Sequence, residues 1–415
     1  MRSAAEHLAQ VLALVEPPPP RRVPLRDALG AVLAVDVRAA GDLPPFDNSA
    51  MDGYAIRARD VVQATEAAPV RLVVAGESSA GHPWDGVLGA GEAVRIMTGA
   101  PVPAEADAVV PQEQVTATAG TVLVDAPVPP GRHIRRRAED ARHGDLVVEA
   151  GVRLRPRHLA AAAAAGNGEL VVLPAPRVAF LVTGDELAAP GATLGPGQIW
   201  ESNATYLEAA LRSLGAVAVD LGTVGDTGEA VRAAVEYADA DLVVTTGGAS
   251  VGDHDPVKEG LAGVGVEFLR VAIQPGKPQG LGVVGGAPVI CLPGNPVAVA
   301  VCVELFVGPA VRAMLGVPEP AWEPMRALEP WRCPPGREQV MPVVLVDGDA
   351  DAVAGGVEAS GAVAGALPGV RPATSGGSGS HLAARLAAAD GLARVRAEAD
   401  AVEAGDIVAV RRFTV

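Results

Sequence analysis

A doubly wound α/β domain flanked by β-rich domains is the fold class this sequence predicts, and three observations lead to it. From residue 177 Val-rich runs alternate with segments whose apolar residues recur at helical spacing, as at Leu207, Ala210, Leu211 and Leu214. On either side, short Val-rich runs sit between Gly and Pro clusters, the texture of small β-structure. A chain of 415 residues also exceeds the roughly 250 to 300 that one core can serve, so several domains are expected.

Taken in order, "MRSAAEHLAQVLALVEPPPP" predicts an amphipathic helix with its stripe at Leu8, Val11, Leu12 and Val15, ended by the prolines. Its apolar run is too short for a signal peptide. Residues 1–45 and 141–176 are assigned to an elongated linker and helical-β domain, the second part carrying a helix in "PRHLAAAAAAGNG" that starts beside Pro156 and stops at glycine. Residues 46–140 form a β-rich domain. Residues 177–316 form the α/β domain, with strands at "RVAFLVTGDE", "AVAVDLG", "DLVVTTGG" and around 266–271 and 288–292, and with a helix marked by Val231, Ala234, Val235 and Ala238. Residues 317–415 close the chain as a small β domain. The charge-free stretch 280–303 is long enough to suggest a membrane span, but Pro288, Pro293 and Pro296 interrupt it, and strand, loop and buried helix is the better reading.

Composition excludes several functions. The formal net charge is −16, so the chain offers no broad attraction to nucleic acid or an anionic membrane. Hydrophobic residues make up 49% of a chain with only 3% aromatics, which points to cores of Val, Leu, Ala and Ile. Cys291, Cys302 and Cys333 are an odd number without paired C-x-x-C spacing, which argues for a reducing cytoplasm and against a disulfide framework or zinc site.

Three loops follow strands of the α/β section: "TGDEL" at 183–187, "TTGGASVGDHDPVK" at 245–258 and "CLPGNPVA" at 291–298. Ligands of doubly wound sheets gather at the carboxyl ends of strands, so all three are expected on one edge. Gly247, Gly248 and Gly252 let backbone N–H groups approach an anion, while Asp185, Glu186, Asp253 and Asp255 suit a divalent cation.

The strings "FDNSAMDGYA", "RIMTGAPVP", "IRRRAED", "TGDEL", "GGASVGD", "PGKP" and "LPGNPV", in that order, resemble the molybdopterin molybdenumtransferases, the family that includes the C-terminal domain of gephyrin. The likeness runs along almost the whole chain and is strongest from about 25 to 310. It implies that 177–316 is a molybdopterin-binding domain and that the protein is a transferase of molybdenum cofactor assembly. Such an enzyme takes adenylylated molybdopterin and molybdate as substrates, inserts molybdenum, and releases AMP with the help of Mg2+. A homodimer with shared active sites is also implied, with "FDNSAMDGYA" of one chain meeting "TGDEL" of the other, as are transient contacts with other enzymes of the cofactor. Two alternatives stand beside this: a molybdopterin adenylyltransferase, disfavoured by β-rich sections on both sides of the α/β unit, and a cofactor-binding scaffold.

The resemblance nominates Asp52, Glu186, Asp226 and Asp255 as catalytic, the last three also as metal ligands. It nominates Thr98, Asp140, Gly247, Gly248, Ser250, Lys277, Pro293, Pro296, Arg337 and Ser380 for substrate binding. Structural roles compete with several of these. Asp47 and Asp52 lie in a turn-rich stretch where carboxylates often bond backbone N–H groups. Asp226 opens "DTGE" and suits a helix cap with Glu229, while Asp255 before Pro256 suits an N-cap and first-turn pair. Gln274 stands where relatives often carry lysine, which removes one positive contact but leaves a hydrogen-bonding side chain.

Overall fold

In a computed structural model of the protein, the structure describes residues 1–247, 255–346, 367–374 and 383–413. Two compact units are present, one of residues 22–29 and 33–172, the other of residues 1–21, 30–32 and 173–415.

The first unit centres on a six-stranded sheet in the order Ala108–Pro111, Gly53–Ile56, Glu92–Ile96, Val70–Ser78, Thr121–Val124, Val115–Thr118. Gly53–Ile56 is an inner strand, and its alternation shows why. Tyr54 and Ile56 join one core with Leu72 and Val122, while Ala55 joins another with Leu88, Val94 and Val109. A short antiparallel ribbon pairs Asn48–Ser49 with Ile134–Arg135, which brings "FDNSAMDGYA" beside "IRRRAED". The alanine-rich segment is helical over Pro156–Ala164, with proline in its first turn and Gly166 at φ +85 beyond its end.

The second unit holds the α/β sheet. Its strand order is Val217–Val224, Arg177–Thr183, Leu242–Thr246, Ala287–Leu292, Pro278–Val284, Val266–Arg270. The first four strands are parallel, as the alternation of strand and helix predicts. Pro278–Val284 runs antiparallel to both of its neighbours and is joined to Ala287–Leu292 as a hairpin through Gly285 and Gly286. Both faces of Arg177–Thr183 are covered by helices. Val178 and Phe180 pack with Leu207, Leu211 and Leu214 of helix Asn203–Leu214, and Ala179 and Leu181 with Val231 and Val235 of helix Gly228–Glu236.

The helical run Pro296–Leu315 is apolar and long enough to cross a membrane by length and composition, yet all of its residues except Pro296 and Ala313 are buried in the fold. It follows the strand and loop of 287–295, as the sequence suggests. Against it lies the N-terminal helix Ala4–Leu14, started by a capping box of Ser3 and Glu6. Its inward face differs from the expected stripe. Ala4, His7 and Val11 are buried while Leu12 is exposed, because the imidazole enters the core edge-on to Phe306, 4.8 Å between ring centres.

Beyond residue 317, five strands close on themselves: Glu338–Val346, Gly369–Pro372, Glu323–Ala327, Ile407–Arg412 and Gly391–Val395, the last pairing back to the first. Met325, Trp331, Met341, Val370, Ala393 and Val410 fill the interior. The two-residue strand Ile273–Gln274 pairs with the start of Glu338–Val346, so this β domain is stitched to the segment that links Val266–Arg270 to Pro278–Val284 in the α/β sheet.

Candidate active site

The three strand-end loops line one cleft of about 500 Å³, as their common position at the carboxyl ends of parallel strands requires. Glu186 and Leu187 enter from the first loop, Gly247, Asp255 and Pro256 from the second, and Pro293, Gly294, Asn295 and Pro296 from the third. Gly247 adopts φ +85, and a Cβ there would stand 2.5 Å from the Thr183 carbonyl oxygen, so this turn accepts no side chain. Gly248 and Ser250 lie outside the described residues, as does Ser380.

The side chain of Asp226 reaches the same cleft. It does not cap the helix behind it. That role belongs to Thr227, whose hydroxyl accepts from the Ala230 N–H at 3.3 Å, which leaves the Asp226 carboxylate available to the cleft. Partial desolvation pushes the Asp226 carboxyl above the usual carboxylate range, and the nearby charges of Asp185 and Glu186 push it further. Asp255 is only 3% exposed and does cap its helix, accepting from the Lys258 N–H at 3.3 Å with Pro256 in the first turn. Its structural role and its place in the cleft coexist.

A carboxyl raised by burial and by neighbouring carboxylates, as Asp226 is, meets the electrostatic condition that a divalent cation relieves, and carboxylate oxygens are hard donors suited to Mg2+. Among the described residues no three acidic, histidine or cysteine side chains converge on one point. The donor chemistry therefore fits, and the carboxylates line a wall without enclosing a finished cage.

Sequence reasoning passed over the stretch "IWESN", and two of its residues shape the cleft. Asn203 donates through Nδ2 to the Thr246 hydroxyl at 3.1 Å and to the Gly294 carbonyl at 2.8 Å, tying the second loop to the third. Glu201, buried, accepts from the N–H groups of Asn203 and Ala204 and starts the helix. A Ser-Asn pair opening a periodic apolar helix was the available signal.

A second cleft, of about 860 Å³, is lined by Arg332, Arg337, Arg371 and Arg385 together with Gln274 and Thr374. Arg337 donates from its guanidinium to the Gln274 side-chain oxygen at 2.7 Å. Pro278, four residues after Gln274, lines the carboxylate cleft, so the "QPGKP" segment touches both. Lys277 lies between these two residues, half-buried and without an ion-pair partner among the described residues.

The remaining nominated residues belong to the other unit. Thr98 donates its backbone N–H and its hydroxyl to Asp52 Oδ1, both at 2.7 Å. The hydroxyl first, then the N–H, hold the Asp52 carboxyl below the usual carboxylate range. Asp47 instead bonds the Arg136 guanidinium at 2.6 Å and the Arg137 N–H at 2.8 Å, the structural role that its turn suggests. Asp140 is exposed, its own N–H donating to Leu43 O at 2.9 Å, and no hydrogen bond among the described residues joins it to Asp52 or Thr98.

Three family profiles match the chain: the MoeA N-terminal region (domain I and II) over residues 2–166, the "Probable molybdopterin binding domain" over 179–313, and the MoeA C-terminal region (domain IV) over 324–413. Molybdopterin molybdenumtransferase 2 of Mycobacterium tuberculosis is 46% identical over 329 residues, 77% of this chain and 81% of that protein. The chain belongs to the molybdopterin molybdenumtransferase family. A second family member, molybdopterin molybdenumtransferase 1 of the same organism, is 33% identical over 434 residues, 99% of this chain and 98% of its own. The crystal structure of the molybdopterin biosynthesis MoeA protein from Pyrococcus horikosii superimposes with a TM-score of 0.81 at 33% identity and covers 98% of both chains. The protein is thus a molybdopterin molybdenumtransferase, an enzyme of molybdenum cofactor biosynthesis, and its carboxylate cleft lies in the molybdopterin-binding domain of the family.

Proposed function

We propose that this transferase inserts molybdenum from molybdate into adenylylated molybdopterin and releases AMP in a Mg2+-dependent reaction. The observation that carries the reading is the "QPGKP" segment, which borders a carboxylate-lined cleft at Pro278 and an arginine-lined cleft at Gln274. Two anions of different kinds need such a pair of neighbours. A phosphoanhydride is held on acidic walls only through a cation, whereas a free oxyanion is held directly by guanidinium and ammonium groups.

In this reading Glu186, Asp226 and Asp255 hold Mg2+, which when bound neutralises phosphate charge. The Gly247 turn and the Pro293 to Pro296 loop press backbone against the nucleotide end of the substrate and keep water from that side. Lys277 and Arg337 hold molybdate, with Gln274 fixing the guanidinium plane. Asp52, Thr98 and Asp140 are contributed by a second copy of the chain in a homodimer. The setting is the cytoplasm, consistent with three buried free thiols.

The deciding measurement is AMP release from adenylylated molybdopterin, with Mg2+ and either molybdate or tungstate. Glu186→Gln keeps the side-chain shape and removes the charge, so oxyanion-dependent release should fall by orders of magnitude while binding of molybdate alone is kept. Lys277→Ala should show the reverse, weakening molybdate by roughly tenfold or more through loss of a charge-assisted contact. Wild-type turnover in Glu186→Gln would remove the carboxylate cleft from the reaction. AMP loading from ATP in the absence of molybdate would favour an adenylyltransferase instead.

A further inference from the structure

The carboxylate cleft has one apolar wall, and the residues that form it have no role in the chemistry above. Leu187–Ala188 and Ile199–Trp200 pair as a two-stranded parallel ribbon beside the first loop, with Trp200 opposite Ala188. Leu187, Ile199 and Trp200 all line the cleft. Ile199 is 55% exposed and Trp200 56%, in a chain with only 4 tryptophans. The other three, Trp84, Trp322 and Trp331, are buried or half-buried. Leaving a large aromatic in water at the rim of an acidic cleft costs folding energy that a polar residue there would not.

The Trp200 ring is also held in place. Its indole N–H donates to the Ala192 carbonyl at 2.8 Å, so the ring's polar atom is satisfied by the protein and what remains is flat hydrocarbon and π surface. The backbone around it is fixed as well, with the Ile199 N–H donating to Glu186 O and the Glu201 N–H to Ala188 O, both at 2.9 Å. One side of the ribbon therefore carries Glu186 through the main chain, and the other carries the aromatic.

We infer that Trp200, supported by Leu187 and Ile199, is a stacking platform for a flat heteroaromatic ring of the substrate, and that it sets the position of that ring relative to the carboxylates. The chemistry required is a planar π ring attached to an anionic group. Every nucleobase and fused pyrimidine ring offers a π face, so adenine and pterin both satisfy it. The inference rests on the proposed reaction for the identity of the ligand. The platform itself rests on the exposure, the anchoring bond and the place in the cleft.

The test uses the full chain and three probes: AMP, pterin-6-carboxylate and ribose 5-phosphate. Binding is followed by tryptophan emission and by calorimetry in the wild type, Trp200→Phe and Trp200→Ala. In the wild type a ring-bearing probe should quench emission, and this quenching should vanish in Trp200→Phe. Affinity for that probe should fall roughly tenfold or more in Trp200→Ala and stay within about threefold in Trp200→Phe, in line with base stacking on aromatic side chains. Ribose 5-phosphate, lacking a ring, should bind all three proteins alike, which also shows that the variants are folded. Response to AMP assigns the platform to adenine, and response to pterin-6-carboxylate assigns it to the pterin. Equal affinity of wild type and Trp200→Ala for both ring-bearing probes, or no quenching by either in the wild type, overturns the platform. AMP release measured on the same preparations keeps the two readings apart. Normal molybdate-dependent release with an indifferent Trp200→Ala discards the platform alone, and absence of release discards the proposed reaction.

Discussion

Thr98 gives both of its hydrogen-bond donors to a single oxygen of Asp52, its N–H and its hydroxyl each 2.7 Å from Oδ1. The two residues are 46 positions apart and meet just beyond the end of the ladder that pairs Gly53 with Ile96. The carboxylate is thereby ionised and oriented, with Oδ2 left without a protein donor among the described residues. Thr98→Ala removes the hydroxyl bond only, and AMP release should fall about tenfold, the loss of one charge-assisted hydrogen bond. Thr98→Ser should recover most of it. Because the pair is exposed, melting temperatures of both variants should match the wild type.

Asp226 supplies a prediction of opposite sign for stability. Its folded-state pKa is raised, by partial desolvation and then by Asp185 and Glu186, so its ionisation opposes folding above the ordinary carboxylate range and does not below it. Asp226→Asn should raise the melting temperature at pH 7 to 8, and the gain should shrink as the pH falls toward 4. AMP release should be lost in the same variant. Added Mg2+ should raise the wild-type melting temperature more than that of Asp226→Asn, as linkage to a native-state ligand requires.

The proposed dimer is tested by mixing. Asp52→Asn and Glu186→Gln should each be inactive alone. If residues of one copy complete the cleft of another, exchanged heterodimers carry one site with neither substitution, and an equal mixture, half of it heterodimers, should return toward about a quarter of the wild-type value. Verified chain exchange without recovery rejects the shared site.

His7 makes the fold sensitive to acid. Its side chain is fully buried, both ring nitrogens lack partners among the described residues, and burial, with Arg2 adding to it against Glu267, lowers its pKa to about 4. The unfolded chain binds the proton from about pH 6.5 downward while the folded one does not. Stability is therefore intact above that value and lost progressively between about pH 6.5 and 4, by at most about 3 kcal/mol. Chemical denaturation of His7→Leu across this range should show a flatter dependence.

Much of the site could be read from the chain because strand-end loops combine local signals with a topological rule. Glu186, Gly247, Asp255, Pro293 and Pro296 follow predicted strands, and parallel order alone sends them to one edge. Asp226 was ambiguous because "DTGE" offers two adjacent capping residues, and only the backbone geometry at Thr227 decides between them. The hairpin strand Pro278–Val284 escaped notice for a different reason. Its glycines weaken any strand pattern, yet a Cβ on Gly282 would stand 1.9 Å from the Gly265 carbonyl oxygen, so the glycine serves a close backbone approach that no periodicity reports. The N-terminal stripe was misread at His7 because a histidine counts as polar by composition and enters a core only when kept neutral. The pairing of Gln274 with Arg337 joins positions 63 apart in sequence and follows from the strand pairing of Ile273–Gln274, which two residues are too few to announce.

The two hydrogen bonds of the Asn203 amide reach loops with separate duties, one ending the strand that leads to Asp255, the other carrying the Pro293 to Pro296 turn. A single side chain at the start of a helix thus acts as a common mounting for both. A push on either loop by an arriving substrate is shared with the other and with the helix that backs the sheet. The spacing between the strand end that leads to the acidic wall and the proline turn is thereby set by one amide, so that neither loop shifts without the other.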